Sequence, residues 1–287
     1  MNNFQKVYVS TGGFKNLNGT QMIKKFSSNG ILQLELSGGK FSKNIEANLI
    51  KLSKKYDLRI HNYFPPHNEG FVLNLASTNK NVLNKSIKHV ISAINLAKKI
   101  KSKFYSFHAG FRIDPNLKYL GKGFLKTKVT KRSTALKRFK KSVIFLEKIA
   151  KKKGIQLFIE NNVITKKNIE TFNANPLLLT NPKEIVNFFK DTPKSVGLLL
   201  DVAHLKVSSV TESFSLSDSM EKLNKYIKGY HLSDNNGLID SNDSFSSKSW
   251  FFQYLKKNLN YYTIEVYNKS FKELKRQKRI IEYNLKS

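Results

Sequence analysis

Five side chains able to ionise or bind a metal stand at the carboxyl ends of four short apolar segments. GIQLFIENN ends on Glu160, VGLLLDVAHLKVSS carries Asp201 and His204, YIKGYHLSDNN carries His231, and YYTIEVYN carries Glu265. A carboxylate or imidazole at the end of a buried strand is costly unless something pairs with it. Several acids and imidazoles crowded together repel or desolvate one another unless a cation compensates them. One divalent metal ion held by Glu160, Asp201, His231 and Glu265 would do so, with three oxygen ligands and one nitrogen. That mixed set suits Mn²⁺, Mg²⁺ or Co²⁺ and is compatible with Zn²⁺. His61 and His108 close two further segments, DLRIHNYF and KFYSFHAGF, whereas His89 falls inside a helical repeat and is read as structural or exposed.

The elements that must position these groups alternate regularly. Strands are predicted over Lys6–Ser10, Ile31–Gly39, Asp57–Phe64, Lys103–Phe111, Ile155–Glu160, Val196–Asp201, Lys228–Leu232 and Tyr261–Val266, from β-branched and aromatic runs and unbroken apolar stretches. Helices are predicted between them over Thr20–Ser28, Asn44–Tyr56, Asn79–Ile100, Thr130–Lys153, Asn181–Lys190, Ser219–Tyr226 and Ser247–Leu259, with Phe271–Leu285 closing the chain. Alternation of this kind implies right-handed crossovers and a parallel sheet covered on both faces. Eight such units in 287 residues, with no linker-like stretch between them, favour a single (β/α)₈ barrel spanning 1–287. No Gly-x-Gly-x-x-Gly or phosphate-loop pattern follows any strand, which counts against a nucleotide-binding sheet. In a barrel the carboxyl ends of the strands converge on one mouth, so all of the groups above would meet there. Glu35 and Asn161 would also point toward it, as substrate contacts. Two long loops, 62–79 and 109–129, would cover the mouth and set substrate choice, and Lys122, Lys126 and Lys128 in the second are read as ordinary solvated lysines.

Composition bounds the function further. A hydrophobic content of 40% with 12% aromatics supports a sizeable core, so a disordered chain is excluded. The absence of cysteine removes disulfides and cysteine-ligated zinc. Without a signal pattern or a long apolar run, no membrane partner is expected and the cytoplasm is the default location. The net charge of +31 invites a nucleic-acid reading. Yet only six of the 51 basic residues are arginine, the residue preferred for phosphate and base recognition, and the lysines are spread over nearly every helix. A compositional bias explains that pattern better than a binding face.

IENN, LLLDVAHLKVS, HLSDNNG and TIEVYN together resemble the xylose-isomerase-like TIM barrels, a superfamily of sugar isomerases, ketose epimerases and the endonuclease IV class of DNA-repair enzymes. The most specific part is Asp201-x-x-His204 followed by His231-Leu-Ser-Asp234. The resemblance implies the same metal set of Glu160, Asp201, His231 and Glu265. It also implies that Glu160 and Glu265 move protons through an enediolate on a sugar or sugar-phosphate, with His204 bonding a substrate oxygen and His61 and His108 near it. A metal-polarised carbonyl acidifies the adjacent carbon, so carboxylate bases suffice. One departure is Gly237, where ketose epimerases of the best-known type carry an arginine. The endonuclease IV branch is the alternative, a metal-dependent phosphodiesterase acting on DNA. There His61, His108 and Asp240 would contribute to a second metal site, but Asn242 stands where that branch has a histidine ligand. A non-catalytic sugar-binding barrel ranks last, because the ligand set is complete. The partner expected is therefore a small-molecule sugar, with nucleic acid behind it and self-association into a homo-oligomer left open.

Overall fold

The computed structural model describes residues 6–119 and 125–286. Eight parallel strands close into a barrel: β1 Val7–Ser10, β2 Gln33–Leu36, β3 Asp57–His61, β4 Phe104–His108, β5 Gln156–Glu160, β6 Gly197–Asp201, β7 Ile227–Leu232 and β8 Tyr262–Ile264. Each pairs in parallel with the next, and β1 closes on β8 with Val9 opposite Ile264. Helices α1 Gly19–Ser27, α2 Ile45–Leu52, α3 Lys80–Lys99, α4 Arg132–Lys152, α5 Lys166–Phe172, α6 Pro182–Lys190, α7 Val202–Glu212, α8 Leu216–Leu223 and α9 Phe271–Lys286 lie in the crossovers and after the last strand. The expected (β/α)₈ architecture is what the chain adopts.

Local chemistry sets the boundaries that matter for the mouth. The run Gly197–Asp201 is buried at every position, as a strand covered on both faces requires. It stops at Asp201 because that side chain caps the next helix: its Oδ1 accepts from the backbone N of His204 at 2.8 Å. On α3 the buried residues Ser86, His89, Val90, Ala93, Ile94 and Ala97 follow helical spacing and pack toward the barrel. Asn79 caps its start.

Three expectations are corrected. Ser247–Leu259 is not a helix; among the described residues only a single 3₁₀ turn, Phe252–Tyr254, forms there. Its adjacent aromatics Phe251 and Phe252 are both buried and stack with centroids 4.7 Å apart. α7 begins directly after β6 instead of leaving a loop before 219, and α8 ends at Leu223, with a 3₁₀ turn over Asn224–Tyr226. α5 forms where no helix is predicted, with Thr165 and Asn168 as its capping box.

Candidate active site

Four consecutive strands deliver one group each to the mouth. Glu160 and Asp201 are the last residues of β5 and β6, and His231 on β7 lies opposite Asp201 in register. Glu265 follows the end of β8, and its backbone N still donates to the Leu232 carbonyl at 3.0 Å. All four are buried, and one ligand atom from each lies within 4.8 Å of the other three.

Neighbouring bonds leave several lone pairs of Glu160, Asp201 and His231 unused. Asn161 clamps Asp201 from the next strand, its Oδ1 accepting from Asp201 N at 2.8 Å and its Nδ2 donating to Asp201 O at 3.1 Å. With Oδ1 of Asp201 committed to the helix cap, Oδ2 has no hydrogen-bond partner among the described residues. Both oxygens of Glu160 and Nδ1 of His231 are likewise unpartnered there. Buried ionisable atoms without partners are expensive, and several converging on one point are the donor set a divalent cation requires. The residues present therefore fit such an ion.

Imidazoles ring Glu160: His61 Nε2 lies 3.2 Å away, His204 Nδ1 and His231 Nδ1 each 3.4 Å, and His108 Nδ1 3.6 Å. Burial alone would push the Glu160 carboxyl up, but His108, His231 and His61 outweigh it and hold it well below the usual range. Glu265 is lowered in the same way, burial being overcome mainly by His231. His231 is raised, since Glu265, Glu35 and Glu160 overcome its burial. His108 goes the other way, lowered by burial to about 4. Asp201 is pushed up to about 7 by burial, against the pull of His204.

The remaining expected residues divide into two groups. His61, His108 and His204 line the open cleft, which has a volume of about 670 Å³ and is also bordered by Lys15, Tyr63, Phe71 and Lys167. Glu35 and Asn161 do not line it; both are fully buried beneath, Asn161 as the clamp on Asp201. The expected grouping of His61, His108 and Asp240 also changes. His61 and His108 gather with Glu160, their ligand atoms within 4.8 Å, whereas Asp240 Oδ2 stands 3.2 Å from His204 Nε2. The cause is a pair of backbone bonds between Asp234 and Asp243, at 2.8 and 2.9 Å, which fold the β7–β8 connection over the start of α7. Lys126 and Lys128 are exposed, and Lys122 lies outside the described residues. A groove of about 760 Å³ between α4 and α6 is larger, but it is lined with lysines and carries no comparable cluster.

Tyr267 joins the site although it is not among the residues expected from the sequence. Its hydroxyl donates to Glu265 Oε1 at 3.1 Å, lies 3.3 Å from Ser10 Oγ and borders the cleft. Gly12 makes room for it, since a Cβ there would collide with the tyrosine hydroxyl. The signal was available in EVYN, where residues two apart along an extended chain share a face.

Residues 30–276 match the protein family described as xylose isomerase-like TIM barrel. No curated protein matches the chain in sequence. Among solved structures, a D-tagatose 3-epimerase-like protein superposes with a TM-score of 0.72 at 21% identity, over 98% of this chain and 97% of that one. D-psicose 3-epimerase from Clostridium cellulolyticum H10, solved with D-tagatose, gives 0.64 at 13% identity over 98% and 97%. A protein from Thermus thermophilus, soaked with ZnCl₂, gives 0.62 at 16% over 96% and 97%. At these identities the likeness is one of fold.

Proposed function

The chain belongs to the xylose isomerase-like TIM-barrel family, and from that premise we propose that it is a divalent-metal-dependent isomerase or epimerase of a sugar or sugar derivative. The observation that carries this reading is the convergence of Glu160, Asp201, His231 and Glu265, three carboxylates and one imidazole, with buried atoms of Glu160, Asp201 and His231 that lack a hydrogen-bond partner among the described residues. An ion held by these four would polarise a substrate carbonyl and acidify the adjacent C–H bond. Glu160 and Glu265 come from strands three apart around the barrel and approach the mouth from different sides. Both are held below the usual carboxylate range, so each is ionised at neutral pH, the form in which a carboxylate can act as a base. Return of a proton to the neighbouring carbon of the resulting enediolate isomerises the sugar; return to the opposite face of the same carbon epimerises it. His204 donates Nδ1–H to the Asn161 carbonyl at 2.8 Å, which leaves its Nε2 edge toward the cleft and Asp240, placed to bond a substrate oxygen.

The test is incorporation of solvent deuterium into a panel of ketoses and aldoses, read by mass spectrometry with Mn²⁺ or Mg²⁺ supplied. Wild-type protein is expected to label at least one sugar. Glu160→Gln and Glu265→Gln are each expected to lose about 10²–10⁴-fold while staying folded by circular dichroism. Full labelling by both variants would sink the two-glutamate mechanism.

A second reading rests on the group formed by His61, His108 and Glu160. Two ions sharing Glu160 would suit in-line phosphodiester hydrolysis. Elemental analysis separates the two: one ion per chain supports the isomerase, and two zincs per chain direct the work to DNA containing an abasic site.

A further inference from the structure

Glu35, at the end of β2, is fully buried and lies behind His231, outside the lining of the cleft. Its Oε1 is 2.8 Å from His231 Nε2, a short ion pair set off the axis of a linear hydrogen bond. Its Oε2 accepts from the Tyr261 hydroxyl and from Thr263 Oγ1 at 3.0 Å. The Tyr261 hydroxyl lies 2.7 Å from Ser106 Oγ, which lies 2.9 Å from His61 Nδ1. One buried carboxylate thus joins the far sides of two imidazoles whose near sides, His231 Nδ1 and His61 Nε2, face Glu160 at 3.4 and 3.2 Å.

A carboxylate withdrawn from both solvent and substrate is a poor packing element, because its desolvation is offset only by the partners it orients. A neutral imidazole carries one N–H and one lone pair, and the partner of one nitrogen decides which is which. An acidic acceptor behind a ligating histidine fixes the ring and strengthens its donor nitrogen. We propose that Glu35 is a positioning residue for the metal centre. It holds the N–H of His231 at Nε2, so that the Nδ1 lone pair is turned into the space between Glu160, Asp201 and Glu265. Through Tyr261 and Ser106 the same carboxylate fixes the ring of His61. This inference rests on the metal-dependent reading above, and its test separates the two.

The experiment compares wild type, Glu35→Gln, Glu35→Asp and Thr263→Val after chelator treatment. Mn²⁺ affinity and stoichiometry are read by competition with a fluorescent chelator. The His231 Nε2 proton is read by NMR in the metal-free proteins, where a carboxylate partner holds it downfield. Glu35→Gln is expected to keep its metal-free Tm within a few degrees, to bind Mn²⁺ about 10–100-fold more weakly and to lose the downfield proton. Glu35→Asp is expected to recover part of the affinity. Thr263→Val, which removes one donor to Glu35 without touching its charge, is expected to weaken binding about 2–5-fold and keeps the test open if Glu35→Gln does not fold. Glu35→Gln with wild-type affinity and an unmoved His231 proton overturns the proposal. So does loss of one bound ion with the remaining affinity intact, since Glu35 would then be a ligand. Wild-type protein that binds no Mn²⁺ overturns the metal-dependent reading instead, and the His231 proton alone then decides for or against Glu35.

Discussion

The two oxygens of Asp201 have different surroundings, and their effects can be separated by substitution. Oδ1 caps α7, while Oδ2 has no hydrogen-bond partner among the described residues, and a ligand atom of Asp201 lies within 4.8 Å of those of Glu160, His231 and Glu265. Asparagine caps a helix as well as aspartate does but brings no charge. Burial pushes the Asp201 carboxyl up to about 7, above the ordinary aspartate value near 3.8. A raised acid contributes stability at low pH that is lost as pH climbs from about 4 through about 7. Asp201→Asn is therefore expected to match wild-type metal-free Tm near pH 4, to equal or exceed it at pH 8, and to lose at least about 10-fold in Mn²⁺ affinity. Asp201→Ala also loses the cap and should be less stable than Asp201→Asn by about 1 kcal/mol. A metal-free Asp201→Asn protein less stable than wild type at pH 8 would contradict this division of labour. Tyr267 is simpler. Removing its hydroxyl leaves Glu265 Oε1 without that donor, so Tyr267→Phe should cost about 10-fold in kcat with KM little changed, measured on whichever sugar the wild type labels.

At the scale of the element, the strands were legible and several helices were not, for identifiable reasons. Unbroken runs such as Gly197–Asp201 announce strands buried on both faces, and the ionisable residues that end β3, β4, β5 and β6 mark the mouth. α7 was hidden because Val202, Ala203, His204, Leu205, Val207 and Ser208 are all buried, which erases the alternation of faces that betrays a helix. The metal-ligand candidates were legible because they sit on strand ends. The partners of Glu35 were not, since Tyr261, Thr263 and Ser106 come from strands distant in sequence and only barrel closure brings them together. His89 on α3 is another case. It is buried, with Nδ1 3.0 Å from His67 Nε2 and its ring stacked on Tyr63, so it ties loop 62–79 to the helix. Burial, with His67 adding to it, lowers its pKa to about 4 from 6.5. A lowered base contributes stability above about 6.5 that is lost as pH falls toward 4, worth up to about 3 kcal/mol. An NMR titration should find the His89 ring neutral down to about pH 4, and a midpoint near 6.5 would contradict it.

Across the whole molecule, closure of the barrel makes the mouth a cooperative feature of the fold. β5, β6, β7 and β8 each contribute one of the four candidate ligands, and β8 pairs with β1 to complete the ring. An ion bound by all four would therefore brace half of the barrel at once, and unfolding would have to release it. The surrounding charge works against cation approach: 51 lysines and arginines outnumber 20 acids, although salt near 0.15 M screens all but the nearest. The local field differs in sign, because Glu35, Glu160, Asp201 and Glu265 lie buried together. The local term should win at physiological salt, since exposed charges beyond about 8 Å are largely screened. With Mn²⁺ at about 1,000 times its Kd, mass action adds about 4 kcal/mol, which for a chain of this size raises Tm by roughly 7 °C. EDTA should reverse the rise, and Glu265→Gln should show little of it. A melting curve by calorimetry indifferent to Mn²⁺, in protein that retains its fold, would mean that the four groups compensate one another through their histidines alone.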